Sequence, residues 1–118
     1  MNNVALIGNL CTDPELKEVG EDKKLASFLL AVDRPGQLAG ADFVRVVAWD
    51  RQAETCARFL TKGKRVAIDG RLRSRSWEED GKRRTSLEVH ANRVQFLSPA
   101  DVAEAADADV PFEAAATG

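Results

Sequence analysis

The chain has no apolar run of the roughly 18 residues that a bilayer crossing requires, and its first residues lack the basic start and long apolar stretch of a secretory signal. A soluble, cytoplasmic protein with no membrane contact is therefore expected. Histidine occurs once, at His90, and the two cysteines, Cys11 and Cys56, form no CxxC pair. Four-ligand zinc spacing cannot be assembled from that set. No metal or other cofactor is expected, and the two thiols are expected to be reduced. Neither a Walker-type glycine loop nor a GxSxG elbow is present, and His90 has no motif partner. The sequence offers no catalytic residues, and an enzyme is the weakest functional class for it.

Positive charge is missing from the end of the chain. All 17 Lys and Arg precede Leu97, whereas Asp101, Glu104, Asp107, Asp109 and Glu113 follow it. Residues 1–97 thus carry a net charge of +3 and the remainder −5, within an overall −2 that hides the asymmetry. A mildly basic domain with an acidic tail is a pattern that suits nucleic-acid binding. After Pro99 the residues are largely alanine and acid, too poor in large apolar groups to offset their ordering entropy, so 98–118 are expected to be a disordered tail.

Between these limits the hydrophobic period changes twice. Val4 to Leu10, Leu25 to Val32 and Phe43 to Trp49 read as three strands, with Glu15 to Lys24 as the connection between the first two. Ala53, Cys56, Ala57 and Leu60 then fall at i, i+3, i+4 and i+7, the stripe of an amphipathic helix, with Asp50 expected as N-cap and Gly63 as stop. Arg65 to Trp77 and Arg84 to Leu97 return to a period of two around Asp80-Gly81, a dipeptide that hairpin turns favour. Three strands, a short helix between strands three and four, and two more strands give the order of an all-β, five-stranded OB-fold, a Greek-key barrel, over residues 1–97.

The fourth strand carries the functional signal. Alternation places Val66, Ile68 and Leu72 on one side and Arg71, Arg73, Arg75 and Trp77 on the other. The third strand repeats this, with Phe43, Arg45, Val47 and Trp49 opposite Val44, Val46 and Ala48. A binder that is indifferent to base sequence needs cations spaced along a groove to meet phosphates and aromatic plates on which bases stack. Lys82, Arg83 and Arg84 would extend the basic track beyond the turn, partly offset by Glu78, Glu79 and Asp80. Arginines on an outward strand face commonly serve only solubility, and aromatics commonly fill cores. Two strands that combine both on one face favour single-stranded nucleic acid as the ligand. His90 is expected to be a satisfied strand residue.

Met1-Asn2-Asn3-Val4, Leu6-Ile7-Gly8-Asn9-Leu10, Asp13-Pro14-Glu15, Arg45-Val46-Val47-Ala48-Trp49, Lys62-Gly63 and Gly70-Arg71-Leu72-Arg73-Ser74-Arg75-Ser76-Trp77 together resemble bacterial single-stranded-DNA-binding proteins in both motif and order. The resemblance implies stacking by Phe43, Trp49 and Trp77, phosphate contacts by Arg45, Arg73 and Arg75, and a homotetramer. It also implies sequence-independent binding of single-stranded DNA in replication, recombination and repair. The run Asp107-Ala108-Asp109-Val110-Pro111-Phe112 is similar to the acidic Pro-Phe tip through which that family recruits genome-maintenance proteins, although here six residues follow Phe112. Asn3 stands where the family often has a basic residue and Val44 where many members have histidine. The loop from Asp33 to Asp42 carries no aromatic. A dimeric replication-restart accessory protein of the same fold and a peptide-binding adaptor are the competing readings.

Overall fold

The computed structural model describes residues 1–34 and 40–98. The acidic segment with Asp107, Asp109, Val110, Pro111 and Phe112 lies outside the described residues, as does the middle of the loop before the third predicted strand. The elements are β1 (Val4–Leu10), β2 (Glu15–Val19), β3 (Lys23–Asp33), β4 (Ala41–Trp49), α1 (Asp50–Phe59), β5 (Arg65–Glu79) and β6 (Lys82–Phe96). They form an OB-fold. The sheet runs β1-β5-β6-β4-β3-β2, and a second pairing of β1 with β3 at Asn9 and Leu10 closes it. All ladders are antiparallel except a short parallel one that joins Val46 and Val47 of β4 to Val89 and His90 of β6.

Three sequence expectations need correction. Glu15 to Lys24 is not a plain connection, because Glu15–Val19 pairs in register with Lys23–Ser27. The strand is exposed along its whole length, so it has no buried face to write an apolar alternation into the sequence, and pairing with β3 sets its place. Asp50 is not the N-cap: Trp49 holds that position without a side-chain cap, and Asp50 begins the helix at φ 53°. Its carboxylate instead accepts the Lys24 backbone N–H at 3.3 Å. The helix ends at Phe59, before Gly63, whose φ of 95° serves the following turn where its N–H donates to the Leu10 carbonyl at 2.8 Å.

The core gathers the inward residues of every long strand, with Phe28, Leu30, Val46, Val66, Ile68, Val89, Val94 and Phe96 all buried. Ala53, Cys56 and Leu60 of α1 are buried against them, and Lys24 reaches Glu54 at 2.7 Å to join β3 to the helix. That hydrogen bond and the charge of Glu54 raise the Lys24 ammonium above its ordinary pKa. Cys11 and Cys56 are both free, and burial pushes the Cys56 thiol up to about 12.

Glycine decides where the barrel closes. A side chain at Gly8 would collide with the Ala31 carbonyl, where β1 meets β3, and one at Gly70 with the His90 carbonyl, where β5 crosses β6. Beside Gly70 the β5–β6 register shifts: Asp69 faces Arg93 but Gly70 faces Ala91, so Asn92 is the extra residue of a bulge. Beyond it β5 and β6 run on together as a projecting arm, turned at Asp80 and Gly81 with φ of 52° and 76°. Both angles are positive, as a type I′ hairpin turn requires.

Candidate nucleic-acid interface

Register places the candidate residues on one continuous face. On β5 the odd positions Arg71, Arg73, Arg75 and Trp77 stand opposite His90, Glu88, Ser86 and Arg84 of β6. The parallel ladder sets Val47 of β4 beside His90, which brings Phe43, Arg45 and Trp49 onto the same side. Phe43, Arg45, Trp49, Arg71, Arg73, Arg75, Trp77 and Arg84 thus form a band from barrel to arm. Lys82 extends it, since Lys82 faces Glu79, two positions beyond Trp77. Arg83 does not belong: it stands opposite Glu78 and points to the reverse face, because it is one residue out of phase with Arg84.

The two ends of the band are built differently. On the arm, Arg71, Arg73 and Arg75 are exposed, and the Arg75 guanidinium lies 4.8 Å from the centroid of the Trp77 ring. That distance is a cation–π contact. The Trp77 indole N–H donates to Glu79 at 3.3 Å, and the residue is 37 % exposed. Phe43, at the outer end of β4, is 64 % exposed with its ring available for stacking.

On the barrel a partly buried polar chain runs along the face. The Trp49 indole N–H donates to His90 Nδ1 at 3.1 Å, and His90 Nε2 lies 2.9 Å from Glu88 Oε1. Because Nδ1 accepts, the ring proton sits on Nε2, which donates to the carboxylate. Glu88 is buried, and its other oxygen lies 3.3 Å from Arg45 Nε, an ion pair without hydrogen-bond alignment. Sequence reasoning reads His90 as a satisfied strand residue, and it is satisfied at both ring nitrogens, but it also joins two site residues. Nothing in the sequence alone singles out Glu88. The i, i+2 spacing of Glu88 and His90 puts them on the Arg84 face, yet only the β4–β6 parallel pairing shows that they meet Arg45 and Trp49.

Trp49 also walls a cavity of about 350 Å³ between the start of α1 and the β6 bulge, lined further by Gln52, Thr55, Cys56, Val94 and Phe96. Gln52 Nε2 donates to the Asn92 carbonyl at 3.2 Å. Among the described residues, no cluster of three or more His, Cys, Asp or Glu could hold a metal ion, and no helix is long and apolar enough to cross a membrane.

An exposed face of arginines and aromatics can meet phosphates and unpaired bases at once. Comparison with known proteins agrees with that chemistry. Residues 1–97 match the single-strand binding protein family. The chain is 47 % identical over 102 residues to single-stranded DNA-binding protein 3 of Clostridium acetobutylicum, covering 82 % of this chain and 71 % of that protein. It is 48 % identical over 102 residues to the single-stranded DNA-binding protein of Clostridium tetani, covering 82 % and 70 %. To single-stranded DNA-binding protein A of Bacillus subtilis it is 44 % identical over 105 residues, covering 84 % and 60 %. With the family matched across the whole OB-fold, the chain belongs to the single-strand binding protein family.

Proposed function

We propose that this protein binds and protects single-stranded DNA without reading its sequence, during replication, recombination and repair in the cytoplasm, where it associates with the nucleoid, and that it acts as a homotetramer without catalysis. The observation that carries the reading is the band from Phe43 to Trp77, in which arginines and aromatic rings share one face of three adjacent strands. Each ring offers about 1–3 kcal/mol of base stacking regardless of base identity, and each arginine a phosphate partner. One OB-fold holds only roughly 4–16 nucleotides. Longer strands call for several copies, and the chain exposes apolar side chains suited to subunit contacts: Ile7 on β1 and, on the reverse face of the arm, Leu72 and Leu87.

The acidic tail adds recruitment of genome-maintenance proteins through Phe112 and its neighbouring acids, a phenyl ring for an apolar pocket flanked by charge for a basic rim. The same negative segment competes with DNA for the arginine band, so removing residues 99–118 tightens DNA binding.

Titration of tryptophan emission with oligo-dT, with native mass recorded in parallel, tests the reading. Emission is expected to fall at a mass of about four chains, with affinity declining as salt rises by a log–log slope of roughly −0.7 per phosphate contact. Unchanged emission at saturation, or equal affinity for duplex DNA of the same length, overturns it.

A further inference from the structure

We infer that His90 is a positioning residue for single-stranded DNA binding: it holds the Trp49 indole on the DNA face and out of the cavity beside it. The inference rests on the reading of that face as the DNA site.

Trp49 is the last residue of β4 and immediately precedes α1, so its ring stands at the junction of barrel and helix. On one flank the ring borders the cavity of about 350 Å³, a volume in the range that small ligands occupy. A ring with open space on one side forfeits the dispersion contacts that would otherwise fix it there. His90 supplies a directional restraint in their place. Its ring centroid is 6.0 Å from that of Trp49 and the planes are inclined by 37°, so the two rings do not stack, and the 3.1 Å hydrogen bond joins them.

The restraint is itself braced. His90 accepts the indole proton at Nδ1 only while its own proton is on Nε2, and the buried Glu88 carboxylate, 2.9 Å away, holds that tautomer. Glu88 also takes the Arg45 guanidinium at 3.3 Å, so one carboxylate orders a stacking ring through His90 and a phosphate-binding cation directly. A ring fixed before DNA arrives spares the ordering cost on binding. Without the bond, the indole is free to turn toward the cavity, and each binding event must recover it.

The test uses the full chain with Trp77→Phe, which leaves Trp49 as the sole indole, and follows its N–H resonance by nitrogen-15 NMR together with oligo-dT affinity. His90→Phe keeps a ring but no acceptor. The Trp49 N–H signal should move and exchange faster with water, and affinity should fall about 2- to 10-fold, the worth of one net hydrogen bond. His90→Gln restores an acceptor and should recover most of both. Adding Thr55→Leu to His90→Phe narrows the cavity and should recover affinity while the N–H stays unbonded. The inference is overturned if the N–H signal ignores His90→Phe, or if the Phe and Gln variants lose affinity equally while melting like the parent. Trp49→Ala separates this failure from a failure of the site: if Trp49→Ala weakens binding and His90→Phe does not, the positioning role alone is wrong. If Trp49→Ala leaves affinity unchanged, the stacking face is wrong, and the positioning role with it.

Discussion

The two halves of β5 use the same alternation for opposite ends. From Arg65 to Asp69 the even positions Val66 and Ile68 are sealed in the barrel, whereas beyond Gly70 every residue to Glu79 is exposed and the odd positions carry the arginines and Trp77. The first half is held by packing and by pairing on both edges, the second by pairing with β6 and, at its root, by the Asn2 side chain, which accepts the Leu72 N–H at 2.7 Å and donates to the Leu72 carbonyl at 2.8 Å. Stability should therefore reside before Gly70 and DNA affinity after it.

The largest effect that sharpens this division is Ile68→Ala, expected to cost about 2–5 kcal/mol of unfolding free energy in urea titration. Leu72→Ala, two turns of the pleat further on and 40 % exposed, should cost far less. If the two cost the same, the arm is packed against something and the division fails. At the boundary itself, Gly70→Ala forces a methyl group against the His90 carbonyl and should destabilise by about 1–3 kcal/mol. It should also disturb DNA binding, because the displaced backbone carries the imidazole beneath Trp49.

On the arm the signs reverse. Trp77→Ala should lose about 1–3 kcal/mol of oligo-dT affinity while shifting unfolding by no more than about 0.5 kcal/mol. A comparable loss of stability would show that the indole is structural. The smallest effect is the most discriminating: Arg84→Ala should flatten the salt dependence of binding by about 0.7 in log–log slope. Arg83→Ala, on the reverse face, should leave that slope unchanged. Equal slopes for the two would mean that the strand path wraps the arm.

Legibility in the sequence followed burial. Strands with one buried side, such as β3, β4 and the barrel half of β5, announced themselves by apolar alternation, as did the stripe of α1 and the Asp80-Gly81 turn. β2 left no such mark because neither of its faces is buried. The site was readable where it depended on alternation within one strand, which gave the Arg71–Trp77 ladder and the Phe43–Trp49 set. It was unreadable where it depended on which strands become neighbours. The Arg45–Glu88–His90–Trp49 chain exists because β4 and β6, separated by a helix and a whole strand, pair in parallel at two positions. For Arg83 the basic run was visible but its phase was not, since the start of β6 fixes which of three consecutive cations turn toward the face of Arg71 and Trp77.

The bulge at Asn92 acts as a protractor. Val89 and Ala91 before it and Val94 and Phe96 after it all face the interior, since the one extra residue bends the strand and does not exchange its sides. The heading of the arm is thereby separated from the identity of its faces. Loss of that single residue would leave every apolar side chain inward and every arginine outward, yet point the cationic ladder along a different line across the barrel. For a single strand laid on that ladder, this is a route by which its path would be re-aimed while the residues that face it stay the same.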